Sequence, residues 1–153
     1  MQIVLFEPEI PPNTGNVARL CAATGTMLNL IKPLGFSLAD RYLKRAGLDY
    51  WEHVQMQVWE NFTDFLLSQG EPGRLVATSA RHGTPVHEFK FEKNDILVFG
   101  PETRGLPLEI LDAAEQQIRI PIKNTVRSLN LSTATGIVLY QALFSSGKIK
   151  EIL

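Results

Sequence analysis

The sequence predicts an α/β fold in which a mostly parallel sheet is flanked by helices. Short apolar runs alternate with segments of helical periodicity, the pattern of strands joined by helical crossovers. Hydrophobic residues make up 44% and charged residues 20% of the 153 residues, which excludes collagen-like, coiled-coil and disordered chains. We expect one domain spanning residues 1–153.

The first elements alternate between strand and helix. Residues 2–6 form an apolar run typical of a buried strand, and three prolines in residues 7–12 predict an extended loop that excludes helix. Residues 13–16 offer capping side chains for a helix that ends at Gly25. A second strand is expected over residues 27–31, followed by a short helix over residues 37–47.

The second half repeats this alternation. Pro107 suits the first position of a helix in which Leu108 and Leu111 face the core. On the last helix, Ile137, Val138, Tyr140 and Leu143 form a stripe that serves either the core or a dimer interface. The further strands are expected at residues 55–59, 74–78, 95–99 and 117–120, and the further helices at residues 61–70 and 131–144.

Loops that follow the strands are the candidate site, because ligands of parallel sheets collect at the carboxyl ends of strands. The informative loops are residues 12–16, 79–83, 100–107 and 121–130. They contain neither a GxGxxG nor a GxxxxGK[ST] motif, so the sequence supports neither a Rossmann dinucleotide site nor a P-loop.

Charge and the content of histidine and cysteine limit the expected partners, metal sites and cellular location. The formal net charge is −1, so a nucleic-acid partner requires a local basic patch. Such a patch forms if two groups of bases share a face: those at 119, 123, 127, 148 and 150, and those at 41, 44 and 45. The three histidines stand apart, and no metal site is expected. Cys21 is expected to be a buried, apolar thiol, and the absence of a leader or an apolar span predicts a cytoplasmic protein without a membrane partner.

Two loops combine glycine with polar side chains. In residues 100–107, glycines permit a close backbone approach around Glu102 and Arg104, although a tight turn with a local ion pair explains them equally well. Residues 127–132 place polar groups at a helix start, where free N–H groups hold anionic or carbonyl groups or where Asn130 or Ser128 simply caps the helix. Arg19 on the first helix points to the same place if the loops converge.

Three segments of the chain stand out together: residues 13–21 (NTGNVARLC), 99–107 (FGPETRGLP), and 118–122 (IRIPI) followed by 127–132 (RSLNLS). They resemble the motifs of the SPOUT methyltransferases, and within them the small tRNA (cytidine/uridine) 2′-O-ribose methyltransferases. The resemblance extends from Met1 to about Phe144. It implies a SPOUT-type fold with a C-terminal trefoil knot, S-adenosylmethionine as cofactor, and a homodimer that acts on tRNA and not on DNA.

The resemblance also implies roles for individual residues. Backbone groups at Thr78, Gly100, Ile120, Ser128 and Leu129 are expected to hold the cofactor. Arg19, Glu102 and Asn130 are expected to be catalytic. Because a guanidinium stays protonated, Arg19 is interpreted as positioning the ribose or its phosphate, and Glu102 as the more plausible proton acceptor.

The expected reaction is 2′-O-methylation of the wobble nucleotide, cytidine or modified uridine, of leucine tRNA. Methylation of another tRNA position or of rRNA, and a non-catalytic knotted module that binds cofactor or RNA, are the alternatives. One departure is visible: residues 79–83 form a turn that is one residue longer than the family's Thr-Thr-Lys-Gly turn.

Overall fold

The computed structural model describes residues 1–39, 51–71 and 73–152. The strands are β1 (Gln2–Phe6), β2 (Met27–Ile31), β3 (Met56–Trp59), β4 (Leu75–Ser79), β5 (Thr84–Pro85), β6 (Ile96–Phe99) and β7 (Gln116–Arg119). The helices are α1 (Pro11–Thr24), α2 (Phe62–Ser68), α3 (Leu108–Ala113) and α4 (Leu131–Ser145), with 3₁₀ turns at Trp51–His53 and Lys148–Glu151. Most of the helix expected over residues 37–47, including Arg41, Lys44 and Arg45, lies outside the described residues.

The strands form one sheet in the order β3-β2-β1-β6-β4-β7-β5, and neighbouring strands run parallel. The α/β fold expected from the alternation of strands and helices is therefore confirmed. Four neighbouring strands, β1, β6, β4 and β7, end at the same edge of the sheet. The chain segments that follow them therefore start side by side, and the trefoil knot implied by the resemblance stays a prediction.

The sheet is buried on both faces, as its continuous apolar strands require. In β1, Ile3 and Leu5 pack into the cluster under α1 and α4, whereas Val4 and Phe6 pack into the cluster under α2 and α3. Successive residues of a strand point to opposite faces, so one apolar run supplies both cores. Cys21 belongs to the first cluster and is 1% exposed, which confirms that it is a buried thiol.

Helix α1 begins earlier than the sequence predicted. The prolines of residues 7–12 were expected to exclude helix, but Ile10 is the N-cap and Pro11 and Pro12 occupy the first two helical positions. Proline fits there because the first N–H groups of a helix have no intrahelical partner to lose. Asn13, the expected cap, consequently lies inside the first turn and is buried.

The predictions of two buried apolar faces, on α3 and α4, are only partly correct. Leu108 was expected to face the core and is 75% exposed, because Ile110 takes the inner position of α3. On α4, Val138 and Leu143 are buried, whereas Ile137 and Tyr140 are exposed. The stripe therefore divides between the core and the surface.

Candidate active site

A cavity of about 740 Å³ lies at the edge of the sheet where β1, β6, β4 and β7 end. Its wall comes from four separate parts of the chain, and this convergence was predicted from the parallel sheet. The lining residues from these parts are Ile10 and Asn13; Thr78 to His82; Phe99 to Leu106; and Ile118 to Ile120 with Ile122 and Arg127 to Leu131. The volume is within the range of roughly 300–1,000 Å³ that is usual for small-molecule sites.

The five residues predicted to bind cofactor, Thr78, Gly100, Ile120, Ser128 and Leu129, all line this cavity. The Thr78 hydroxyl donates to the Val98 carbonyl oxygen at 3.0 Å, so this side chain is used to join β4 to β6. Ile120 and Leu129 are half-buried and give the cavity an apolar wall. The structure thus brings the five residues together, while their role in binding stays a prediction.

The loop after β6 folds back tightly on its own first residue. A Cβ at Gly100 would overlap the backbone of Gly105 and Leu106, and Gly105 has φ +71°, where a side chain is disfavoured. The Gly105 N–H donates to the Pro101 carbonyl at 3.0 Å and closes the turn. The local ion pair considered for Glu102 and Arg104 is absent from the described contacts, since Arg104 pairs with Glu7 instead.

Glu102 joins this loop to the start of α1. Its carboxylate accepts hydrogen bonds from the backbone N–H groups of Glu9 (2.8 Å) and Ile10 (3.1 Å). In return, the Glu9 carboxylate accepts from the Thr103 N–H at 3.0 Å and its hydroxyl at 2.8 Å. We call Glu9, Glu102 and Thr103 the clasp, because each loop supplies a carboxylate to the other.

Asn13 extends the clasp to α4. Its Nδ2 donates to Glu102 Oε1 at 3.1 Å, and its Oδ1 accepts from Asn130 Nδ2 at 2.8 Å. Asn130 in turn accepts with Oδ1 from the N–H groups of Ser132 and Thr133, which cap α4. Capping by Asn130, the simpler reading of the sequence, is therefore confirmed, and the same residue also contacts α1.

Arg19 does not line the cavity. It is exposed on α1, where it borders a shallow depression with Ala22, Ala23 and His53. Six residues separate it from Asn13, which in an α-helix amounts to about 9 Å along the axis and about 240° around it. Because the buried side of this turn holds Asn13 against the cavity, Arg19 faces another direction.

The described bases of the expected patch are divided between two edges of the sheet. Arg119 and Arg127 line the cavity, together with Arg81 and Arg104. Lys148 instead lies beside the amino group of Met1, which precedes β1 and belongs to the opposite edge. The bases after Glu115 therefore do not share one face, and the cavity mouth collects arginines from three loops.

The contacts of three residues were not predicted from the sequence. Glu9 was interpreted only as a loop residue and Asn13 as a capping and motif residue, and their pairing with Glu102 depends on contacts across about 90 residues of chain. Arg81 was noticed only as part of an unusually long turn. The signal for all three was the presence of polar side chains in loops that follow neighbouring strands.

Neither a membrane-spanning helix nor a cluster of metal-ligating side chains is found in the described part of the chain. The helices found there are too short or too polar to cross a bilayer. Across residues 1–39, 51–71 and 73–152, His, Cys, Asp and Glu side chains do not gather in groups of three or more suited to a metal ion.

Comparison with known proteins agrees with the geometry. Over 149 residues the chain is 53% identical to a tRNA (cytidine(34)-2′-O)-methyltransferase of Yersinia pestis, covering 93% of this chain and 91% of the relative. A protein of the same name from Escherichia coli K12 is 51% identical over 145 residues, with 93% and 91% covered.

Solved structures give the same result. One that addresses 2-OH methylation of C/U34 on tRNA superposes with a TM-score of 0.91 at 46% identity, covering 96% of each chain. An AdoMet-bound rRNA methyltransferase from Sinorhizobium meliloti superposes with a TM-score of 0.85 at 25% identity, covering 94% of this chain and 55% of that one. Residues 1–140 match the SpoU rRNA Methylase family. The chain therefore belongs to the SpoU methylase family, and the resemblance to methyltransferases that its three motifs indicated is confirmed.

Proposed function

We propose that this protein is an S-adenosylmethionine-dependent methyltransferase that modifies the ribose 2′-hydroxyl of nucleotide 34, the wobble nucleotide, of leucine tRNA in the cytoplasm. The observation that carries the proposal is the single cavity in which the three motifs meet. The similarity to tRNA (cytidine(34)-2′-O)-methyltransferases over more than nine-tenths of the chain supports the substrate.

The residues that line the cavity fit S-adenosylmethionine. Ile118, Ile120 and Leu129 provide the apolar surface that an adenine ring requires. Gly100 and Ser128 lie in loops whose backbone groups are close enough to the cavity to bind the polar atoms of the nucleoside and the amino acid part. When bound there, this cofactor supplies an electrophilic methyl group on a sulfonium sulfur.

The contribution of the protein is alignment of the 2′-oxygen with that methyl group. The clasp and Asn13 fix the loop after β6, the start of α1 and the start of α4 relative to one another. Three walls of the cavity are therefore held in a fixed relation before substrate binds. In this arrangement Asn130 is a positioning residue.

Glu102 is also better explained as a positioning residue than as the proton acceptor. One carboxylate oxygen accepts from Glu9 N–H, and the other accepts from Ile10 N–H and from Asn13. A carboxylate that must accept a proton loses part of this network as it becomes neutral. We therefore assign it the task of holding the loops together.

A homodimer brings Arg19 into the reaction. Ile137, Tyr140 and Phe144 lie on one exposed face of α4, and α4 packs against α1, the helix that carries Arg19. We propose that a second copy covers this apolar face and that Arg19, on the neighbouring helix, then lies at the interface between subunits. We propose that each cavity receives the partner's Arg19, which binds a phosphate or the ribose of the tRNA.

Transfer of a labelled methyl group from S-adenosylmethionine to total tRNA tests the proposal, with mapping of the modified ribose. We expect label at nucleotide 34 of leucine tRNA and none after Arg19→Ala, while that variant still binds cofactor. Label in rRNA or at another tRNA position would favour the second candidate, which the rRNA methyltransferase among the structural neighbours supports. Cofactor binding without transfer to any RNA would identify a non-catalytic module.

Mixing two inactive variants tests the shared site. Arg19→Ala and Gly100→Ala damage different parts of the site, so a mixed dimer regains one intact site if Arg19 acts across the interface. An equimolar mixture is then expected to recover about one quarter of the wild-type activity, since half the dimers are mixed. No recovery, in dimers shown to exchange subunits, would place Arg19 and the cofactor loop in the same chain.

A further inference from the structure

Arg81 bridges two loops beside the cavity. Its guanidinium donates from Nη1 to Asn124 Oδ1 and from Nη2 to the Val126 carbonyl oxygen, both at 3.2 Å. Arg81 follows β4, whereas Asn124 and Val126 belong to the segment of residues 121–127 that follows β7. Arg81 lines the cavity on one side, and Ile122 and Arg127 of the second loop line it on the other.

The two ends of the bridge are anchored differently. On the Arg81 side, Ser79 Oγ accepts from the N–H groups of Arg81 and His82 at 3.3 and 3.1 Å. Arg119 Nε donates to the Gly83 carbonyl at 3.2 Å, and Gly83 has φ +97° at a position where a Cβ would overlap the backbone of Gln117. The turn that carries Arg81 is therefore fixed to β7.

The opposite segment has less internal support. Residues 121–127 contain neither helix nor strand, and most of their side chains are exposed. The backbone hydrogen bond found within this segment, from Val126 N–H to the Lys123 carbonyl, is long at 3.4 Å. A contact from a fixed turn to such a segment restricts it more than the same contact would restrict a helix.

We propose that Arg81 is a positioning residue that holds the segment of residues 121–127 in place beside the cavity and thereby strengthens cofactor binding. The inference rests on the proposed function, because it takes the cavity as the cofactor site. A guanidinium suits this task because its fork places two N–H groups at two acceptors, which a lysine ammonium does not do in a fixed geometry. This proposed role of Arg81 assigns a function to the long turn of residues 79–83.

The expected effect is moderate, because Arg81 and Asn124 are exposed and water competes for both hydrogen bonds. Loss of one or two such bonds corresponds to a change of about 3–10-fold in an equilibrium constant. We therefore expect Arg81→Ala to raise the Kd for S-adenosylmethionine by about 3–10-fold. The KM for cofactor should rise by more than kcat falls.

The experiment combines calorimetry of S-adenosylmethionine binding with hydrogen exchange of residues 121–127 in cofactor-free protein. Arg81→Ala and Asn124→Ala should both accelerate exchange there, and the double variant should be little worse than either one. Arg81→Lys should recover only part of the effect. Lys123→Ala, which removes a positive charge from the same segment, is the matched control and should leave both measurements unchanged.

The outcomes separate the two proposals. Unchanged exchange and an unchanged Kd in Arg81→Ala would overturn the role of Arg81, as would an equal effect of Lys123→Ala. If the wild-type protein binds no S-adenosylmethionine but Arg81→Ala still accelerates exchange, the proposed function fails while the restraint by Arg81 stands. Asn124→Ala answers the same question from the other end of the bridge if Arg81→Ala does not fold.

Discussion

Replacement of Asn13 by alanine tests whether the buried amide connects the three loops. Asn13 is 5% exposed and has a fixed orientation, because a carboxylate only accepts and its Nδ2 must therefore face Glu102. The Asn130 amide is oriented in the same way, since its oxygen accepts from the backbone of α4. The orientation of each amide is thus determined by a partner that can only accept or only donate a hydrogen bond.

The energetic cost follows from the two lost contacts. The hydrogen bond to Glu102 involves a charged acceptor and contributes about 1.5–3 kcal/mol, whereas the bond from Asn130 is neutral and contributes about 0.5–1.5 kcal/mol. Together they predict that Asn13→Ala lowers the free energy of unfolding by about 2–4.5 kcal/mol. Asn16, the next asparagine of the same helix, is exposed, and Asn16→Ala should cost less than about 0.5 kcal/mol.

Urea unfolding followed by tryptophan fluorescence measures both variants. Trp59 is a suitable reporter, because its ring packs edge-to-face against Phe65 in the core at a centroid distance of 5.9 Å. Protein concentration must be equal in all samples, since the proposed homodimer would make stability concentration-dependent. A loss for Asn13→Ala no greater than that for Asn16→Ala would refute the idea that this amide connects the loops.

Three further predictions use other parts of the molecule. Gly100→Ala forces the loop away from Gly105 and should weaken S-adenosylmethionine binding in calorimetry, whereas Gly136→Ala on α4 has open space around the new methyl group and should not. Burial and the neighbouring Lys148 lower the pKa of the Met1 amino group to about 5. Between pH 8 and 5 the unfolded chain then binds a proton that the folded chain does not. This group should therefore make the protein less stable to urea as the pH falls through that window. Acylation of the amine should titrate near pH 5 and not near pH 8. Burial raises the pKa of the Cys21 thiol to about 12, so a disulfide reagent should label it only after unfolding, and rapid labelling of native protein would contradict its burial.

The fold was predictable because the strands carry a strong local signal. Buried parallel strands such as Gln2–Phe6 and Met27–Ile31 are apolar on both faces, and glycines or prolines end the elements between them. The errors arose where local chemistry allows two outcomes. A proline breaks a helix when it lies in the interior but is compatible with the first turn. The sequence alone did not show which of these positions Pro11 takes.

The location of the site was also predictable, but its internal contacts were not. The parallel sheet placed the loops containing Gly100, Ile120 and Ser128 at one edge, and the cavity is there. The partners of Glu102 lie 89 to 93 residues away in sequence. Pairing of this kind depends on how loops approach in three dimensions, and no local pattern of residues records it.

The contacts of the site indicate which part of the reaction the protein controls. Glu102, the acidic group that the motifs place nearest the chemistry, uses both oxygens to join α1 to the loop after β6. Asn130 caps α4 with its oxygen and contacts Asn13 with its nitrogen. Two of the three candidate catalytic side chains, Glu102 and Asn130, thus hold backbone segments in place. A transfer that depends on the collinear approach of an oxygen to a methyl group is sensitive to displacements of about 1 Å. Rigid placement of the loops, more than acid–base strength, is therefore the property on which the proposed activity depends.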